Sequence, residues 1–264
     1  MKKILLCPPT FYDIEYEINP WMHVENKVDK DKVLMEYEVL KNTYQSLGVE
    51  ILEIDPVKGL PDMVYAANFG FVKNNLFVKS NFKYKERQKE SEYSKKYFQN
   101  IGFEIAEIPA EISFEGQGDL LYSNGKYFMG YGKRSSLGAK KYLEDFLKGE
   151  VIEFELSDPY FYHLDMSFAP LDNKTVVINK NSFDQDGIDK IYKNFKNVIV
   201  AGDTDNKIFA CNLVVVDKNI VVGQGISDEL KNNFAKYGFK THEVPTTEYG
   251  KGGGSVKCLT LEFF

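Results

Sequence analysis

One pattern limits what this chain can fold into more than any other. A short apolar strand, a polar turn, a second apolar strand, a charged amphipathic helix and a third strand recur along the sequence. One copy reads MVYAANFGFV, KNN, LFVKS, KERQKESEYSKKYFQNIG and FEIAEIP; the next reads GDLLYS, NGK, YFMGYG, SLGAKKYLEDFLKG and EVIEFEL. A third runs from HLDMSFAPL to VIVAG and a fourth from ACNLVVV to FKTHEVP. The fifth is split between the ends of the chain. GGSVKCLTLEFF supplies its opening strand, and MKKILLCPP, DKVLMEYEVLKNTYQSLG and VEILEIDP supply the rest. Starts of the opening strands, at Asp62, Asp119, Asp165, Asn212 and Ser255, lie roughly 43 to 57 residues apart, the spacing of repeat architectures. Glycines in QNIG, FLKG, AKYG and QSLG close the helices where a left-handed C-cap is wanted. The expectation is an α/β ring of five ββαβ units, closed across the termini as one domain over residues 1–264, with the opening strands innermost. A doubly wound parallel sheet would place a single strand, not a hairpin, before each helix.

In such a ring, polar residues at the mouths of the opening strands meet at the axis. The sequence supplies Asp62 and Asn68 in PDMVYAANFG, Glu115 and Asp119 in FEGQGDLL, His163 and Asp165 in YHLDMSF, and Cys258 after the three glycines of GGGSVKC. A buried thiol alone is usually a small hydrophobe, the reading that fits Cys7 and Cys211. Cys258 differs because one of three histidines lies on an equivalent strand start, with Asp165 and Glu115 near enough to orient an imidazole. His23 and His242 lack such company and read as surface or loop residues. A thiol needs a neighbouring cation to become thiolate at neutral pH. Carboxylates without basic partners repel unless a cation fills the gap. A positively charged substrate is therefore expected, in an acid-lined pocket shared by Cys258 and His163, with the glycines letting backbone and substrate approach the sulfur. Magnesium or calcium is the rival cation, but a regular calcium-loop spacing is missing, and one Cys and one His in distant repeats make a weak zinc signal. No metal and no cofactor are expected.

Composition narrows the partners. A net charge of −6 argues against nucleic acid, and no apolar segment approaches the roughly 20 residues that span a bilayer. The apolar run at the N-terminus is too short for a secretory signal and reads as a strand. Three cysteines, odd in number and far apart, suit a reducing cytoplasm. Nothing in the sequence decides whether the chain forms a homo-oligomer.

FEGQGD, HLD and the C-terminal GGGSVKC, in that order, resemble the guanidino-group-modifying enzymes of the pentein superfamily: arginine deiminase, dimethylarginine dimethylaminohydrolase and the amidinotransferases. The likeness covers nearly the whole chain and implies a five-bladed α/β propeller. CPPTFYDIEYEINPWM and MVYAANFG are most similar to the arginine dihydrolases, which take arginine to ornithine, carbon dioxide and two ammonia molecules. The resemblance implies that Cys258 attacks the guanidinium carbon and forms a thiouronium. It gives His163 the roles of acid and then base, Glu115 the task of holding the imidazole, and Asp165 the guanidinium nitrogens. Asp165 lies two residues beyond His163, which in a strand puts both on one face. Asp62 and Asp119 complete the acidic lining. Arginine is scarce in this lysine-rich chain, and the resemblance assigns Arg87 in KYKERQKE and Arg134 in YGKRSS to the substrate carboxylate, which a guanidinium fork fits.

Asn68 stands where the deiminases typically have an aspartate, and Asn19 is an amide too. An amide both donates and accepts, so it can hold neutral citrulline for a second hydrolysis. A deiminase, a dimethylarginine hydrolase or an amidinotransferase would share the catalytic residues. The ribosome anti-association factors, non-catalytic proteins of this propeller fold, would have no use for the set Cys258, His163 and Glu115.

Overall fold

The computed structural model describes residues 1–264. Along the chain come β1 (Lys3–Leu6), α1 (Lys30–Ser46), β2 (Glu50–Glu53), β3 (Gly70–Lys73), β4 (Leu76–Lys79), α2 (Lys85–Gln88), α3 (Glu90–Asn100) and β5 (Glu104–Glu107). Then follow β6 (Leu120–Ser123), β7 (Lys126–Tyr131), α4 (Ala139–Leu147), β8 (Val151–Glu155), β9 (Phe168–Pro170), β10 (Thr175–Ile178), α5 (Gln185–Asn194) and β11 (Asn197–Val200). The chain continues through α6 (Asp203–Asn206), β12 (Val214–Val216), β13 (Asn219–Gly223), α7 (Asp228–Lys236), β14 (Lys240–Val244), α8 (Thr247–Gly250) and β15 (Leu261–Glu262). No helix is long and apolar enough to cross a membrane.

These strands form five separate three-stranded sheets with one plan, in which the middle strand pairs antiparallel with the opening strand and parallel with the closing one. The fifth sheet, β15-β1-β2, joins the two ends of the chain, with Ile4 opposite Glu262 and Leu5 opposite Leu261. Hairpin turns explain the tight link from first to second strand: Asn74, Asn124 and Asp217 take positive φ, which Asn and Asp tolerate best among residues with a side chain. In the third unit Asp172 Oδ1 accepts from the N–H groups of Lys174 and Thr175 instead. Helix ends follow the glycine signal at Gly48, Gly102 and Gly238, but after α4 the left-handed residue is Lys148, one position before the glycine of FLKG. Gly149 is needed for space, since a Cβ there would come within 2.6 Å of the Tyr127 ring.

The apolar core has five large clusters, each joining neighbouring units, and a small sixth of Tyr162, Met166 and Phe209. Leu5 and Ile54 of the fifth unit pack with Phe77 and Phe98 of the first; Phe71 and Val78 of the first pack with Met129 and Leu143 of the second. Leu121 and Phe128 meet Phe168 and Ile188, Ala169 and Val177 meet Ile220 and Leu230, and Val214 and Val221 meet Ile4 and Tyr37. No unit therefore buries its sheet alone, and closure across the termini completes the fifth interface.

One expectation needs correction. The opening strands are shorter than the sequence suggests, because the polar residues before them fold into 3₁₀ turns at Pro61–Val64, Ala66–Phe69, Gly116–Gly118 and Leu164–Met166. Cys258 likewise sits in a turn, three residues before β15. The period-two argument that put His163 and Asp165 on one face of a strand does not apply, since residues 164–166 are helical.

Candidate active site

The turns at the axis bring together most of the residues expected there. Glu115, wholly buried, is the hub: its Oε2 lies 2.9 Å from His163 Nε2 and accepts from Arg134 Nη1 at 3.0 Å. Burial would raise this carboxyl, but the Arg134 guanidinium and the imidazole outweigh it and hold Glu115 well below the ordinary carboxylate range. Arg134 stacks on the rings of Tyr84 and Tyr162 and donates from Nη2 to the carbonyl of Ile18. Gly118 makes this crowding possible, because a Cβ there would fall 2.3 Å from Asn68 Nδ2 and 3.0 Å from His163 Nδ1.

Arg87 is buried, not a solvated charge on a helix. Its Nε and Nη2 donate to the two oxygens of Glu90 at 3.0 and 2.8 Å, and its Nη1 donates to Asn68 Oδ1 at 2.8 Å. The fork expected to grip a substrate carboxylate is thus filled by Glu90. Asn68 Nδ2 in turn donates to the carbonyl of Glu115, so Arg87 fixes which way this amide faces. Asp62 lies beside the same guanidinium, with Oδ2 3.9 Å from Arg87 Nε and Oδ1 without any partner. Asp119 spends both oxygens on the protein: Oδ2 accepts from the N–H and hydroxyl of Ser135, and Oδ1 from the N–H of Leu164. It anchors the turn that follows His163.

Cys258 has a different set of neighbours. Its Sγ is 3.4 Å from Asp165 Oδ2 and receives the amide of Asn212 at 3.1 Å. No hydrogen bond joins it to the imidazole. Burial and the Asp165 carboxylate push the thiol well above its usual range. Burial also lifts Asp165 to about 7 against the pull of the Lys257 ammonium, and its Oδ1 is buried without a partner. Thiol and carboxylate are therefore poised to gain from a cation placed between them.

The site is closed. Cys258 is 3% exposed and His163 1%. Asn19 holds the cover in place, donating to the carbonyl of Gly252 and accepting from the N–H of Trp21, while Trp21 Nε1 donates to Tyr160. The acidic side chains Asp165 and Glu115 do stand beside the sulfur and the imidazole, all of them sealed from solvent. A cavity of about 320 Å³ lies elsewhere, lined by Lys2, Tyr122, Asp172, Leu213, Lys257 and Glu262 among others, and not by Cys258. The glycines, too, accommodate protein: a Cβ on Gly252 would meet Tyr65 Oη and Tyr12 Oη, one on Gly253 would meet Asn19 Oδ1, and one on Gly254 would meet the Tyr65 ring and Cys258 Cβ. No group of three or more His, Cys, Asp or Glu side chains could hold a metal ion.

Of the remaining histidines, His23 is exposed and His242 lies on β14 bonded to Asn219 Oδ1. Asn212, Glu90 and Tyr162 are the participants that sequence reasoning missed. Asn212 opens the fourth unit and could have been found from that position, whereas Glu90 looks like any helix glutamate.

A family model described as N,N dimethylarginine dimethylhydrolase, eukaryotic, matches residues 14–264. The chain belongs to this family. Dimethylarginine dimethylaminohydrolase of Mycobacterium tuberculosis is 35% identical over 264 residues, covering 99% of this chain and 85% of that protein. The bifunctional arginine dihydrolase/ornithine cyclodeaminase ArgZ of Synechocystis is 39% identical over 265 residues, covering 98% of this chain. The chain spans 37% of the length of that relative. A crystal structure of the N-terminal domain of ArgZ, a cysteine-to-serine variant bound to substrate, superposes with a TM-score of 0.96 at 36% identity, over 99% of this chain and 98% of that one. The fold is thus the five-bladed α/β propeller of the dimethylarginine dimethylhydrolase family.

Proposed function

We propose that residues 1–264 form one catalytic unit, a cysteine-dependent hydrolase that takes L-arginine to ornithine, carbon dioxide and two ammonia molecules. The observation that carries this reading is the unpartnered Asp165 Oδ1, buried beside a thiol that only a cation would activate. The likeness to ArgZ, called an arginine dihydrolase, supports the substrate.

In this mechanism the guanidinium docks against Asp165, and its charge drives the Cys258 proton out to solvent. Sγ adds to the guanidinium carbon, the His163 imidazolium gives its proton to the departing ammonia, and a thiouronium remains. The imidazole then takes a proton from water, which adds to the same carbon and expels the thiolate, leaving citrulline. Asn68, with Nδ2 and an Oδ1 oriented by Arg87, retains that neutral urea for a second round. Sγ adds again, a second ammonia leaves, and water releases a carbamate that loses carbon dioxide to give ornithine. Glu115, held ionised by Arg134, supports the imidazolium throughout. Arg134 and the remaining donor of Arg87 Nη1 steer the α-carboxylate. Access requires the segment around Asn19 and Trp21 to lift.

The family match favours a second reading, in which methylated arginines are the substrates and the reaction stops at citrulline. Incubation with arginine and with dimethylarginine, followed by quantification of ornithine, citrulline, ammonia and methylamines, decides between them. The expected result is two ammonia molecules per arginine, and conversion of the product to citrulline in Asn68→Asp. Accumulation of citrulline by the unmodified chain would reject the dihydrolase. Turnover by a folded Cys258→Ser chain would reject covalent catalysis altogether.

A further inference from the structure

Asn212 is wholly buried and uses both ends of its amide on the nucleophile's turn. Oδ1 accepts from the N–H of Ser255 at 3.1 Å and from the N–H of Cys258 at 3.0 Å. Nδ2 donates to Cys258 Sγ at 3.1 Å and lies 3.3 Å from the carbonyl of Asp165. The carbonyl of Asn212 accepts from Lys257 N–H, so the start of the fourth unit is tied to the Cys258 turn at four points. From the first unit, Ala67 N–H donates to the Cys258 carbonyl.

No cationic side chain bonds the sulfur, since the imidazole of His163 is turned to Glu115. Asp165 and Tyr162 face it from the turn before β9, and both would carry negative charge if ionised. Lys257, its neighbour in the chain, sends its ammonium to Gln117 Oε1 and Glu262 Oε2, at 2.7 and 2.6 Å. The Nδ2 amide is the one side-chain donor bonded to the sulfur, and the backbone N–H of Ser255 also favours its ionised form.

We propose that Asn212 is the positioning residue of the nucleophile: Oδ1 fixes the turn that aims Cys258, and Nδ2 stabilises the thiolate when it forms. This rests on the reading of Cys258 as nucleophile. Hydrogen bonds to a charged acceptor are stronger than those to a neutral one, so Nδ2 favours thiolate over thiol. Asn212→Asp separates the two tasks, since it keeps an acceptor for Ser255 and Cys258 and loses the donor to Sγ.

The test is the pH dependence of Cys258 alkylation by iodoacetamide, followed by peptide mapping, alongside kcat and KM for arginine. Asn212→Asp should fold, as judged by its thermal transition, move the alkylation midpoint up by about one to two pH units, and lower kcat at least tenfold with KM little changed. Asn212→Ala should add a loss of thermal stability from the freed turn. An unchanged alkylation midpoint in folded Asn212→Asp overturns the proposal. Alkylation needs no substrate, so a chain that ignores arginine yet shows the shifted midpoint refutes the proposed substrate and upholds the role of Asn212.

Discussion

Asp165 and Glu115 are both buried carboxyls at one site, yet their surroundings drive them in opposite directions. Burial lifts Asp165 to about 7, so the folded chain holds a proton that the unfolded chain gives up near pH 4. Between those values the group destabilises the fold as pH rises. Glu115 contributes the reverse. Burial opposes ionisation, Arg134 and His163 more than compensate, and its stabilisation is present above about pH 4.3 and lost as pH falls below it. The consequence for ligand binding is specific. A guanidinium docking on Asp165 at pH 7 should expel part of a proton. Calorimetric titration of the Cys258→Ser chain with arginine, in buffers of different ionisation enthalpy, should show net proton release at pH 7 that fades by pH 9. Heats independent of the buffer at pH 7 would place the cation elsewhere.

At the scale of elements, short turns carry the chemistry and the strands only position them. The Gly252–Gly254 run is packed against Tyr12, Tyr65, Asn19 and Tyr162, and Gly253 takes φ +85°, which a side chain resists. Gly254 is the sharper probe, because a Cβ would sit 2.6 Å from the Tyr65 ring and 3.0 Å from Cys258 Cβ. With Cys258 as the proposed nucleophile, Gly254→Ala should displace its sulfur and lower kcat/KM at least tenfold, while the thermal midpoint falls by only a few degrees. Activity within twofold of the parent would show that the turn tolerates a shift of the sulfur. The glycines were legible as a signal of close approach near Cys258, but what approaches them was not. Tyr12 and Tyr65 come from the fifth and first units, far away in sequence.

Across the whole molecule, closure depends on the last residues. Leu261 and Glu262 pair with β1, Phe263 N–H bonds to the carbonyl of Lys3, and Phe264 stacks on Phe71 at 5.5 Å. Removing residues 261–264 would open the ring at its split unit and expose the cluster that holds Leu5, Phe77 and Phe98. A loss of cooperative thermal unfolding is expected, and a truncated chain melting like the parent would show that the other interfaces suffice. The repeat of paired strands and helix, with its turn residues, determined the five units and their order, because each is a local pattern of polarity and backbone preference. The residues at the axis were also legible as a set, since equivalent positions in a ring converge. Their partners were not. That Glu115 meets His163, that Asp119 reaches Leu164 and that Asn212 reaches Cys258 depend on distances between turns of different units. Packing in three dimensions decides those distances, and periodicity along the chain carries no record of them.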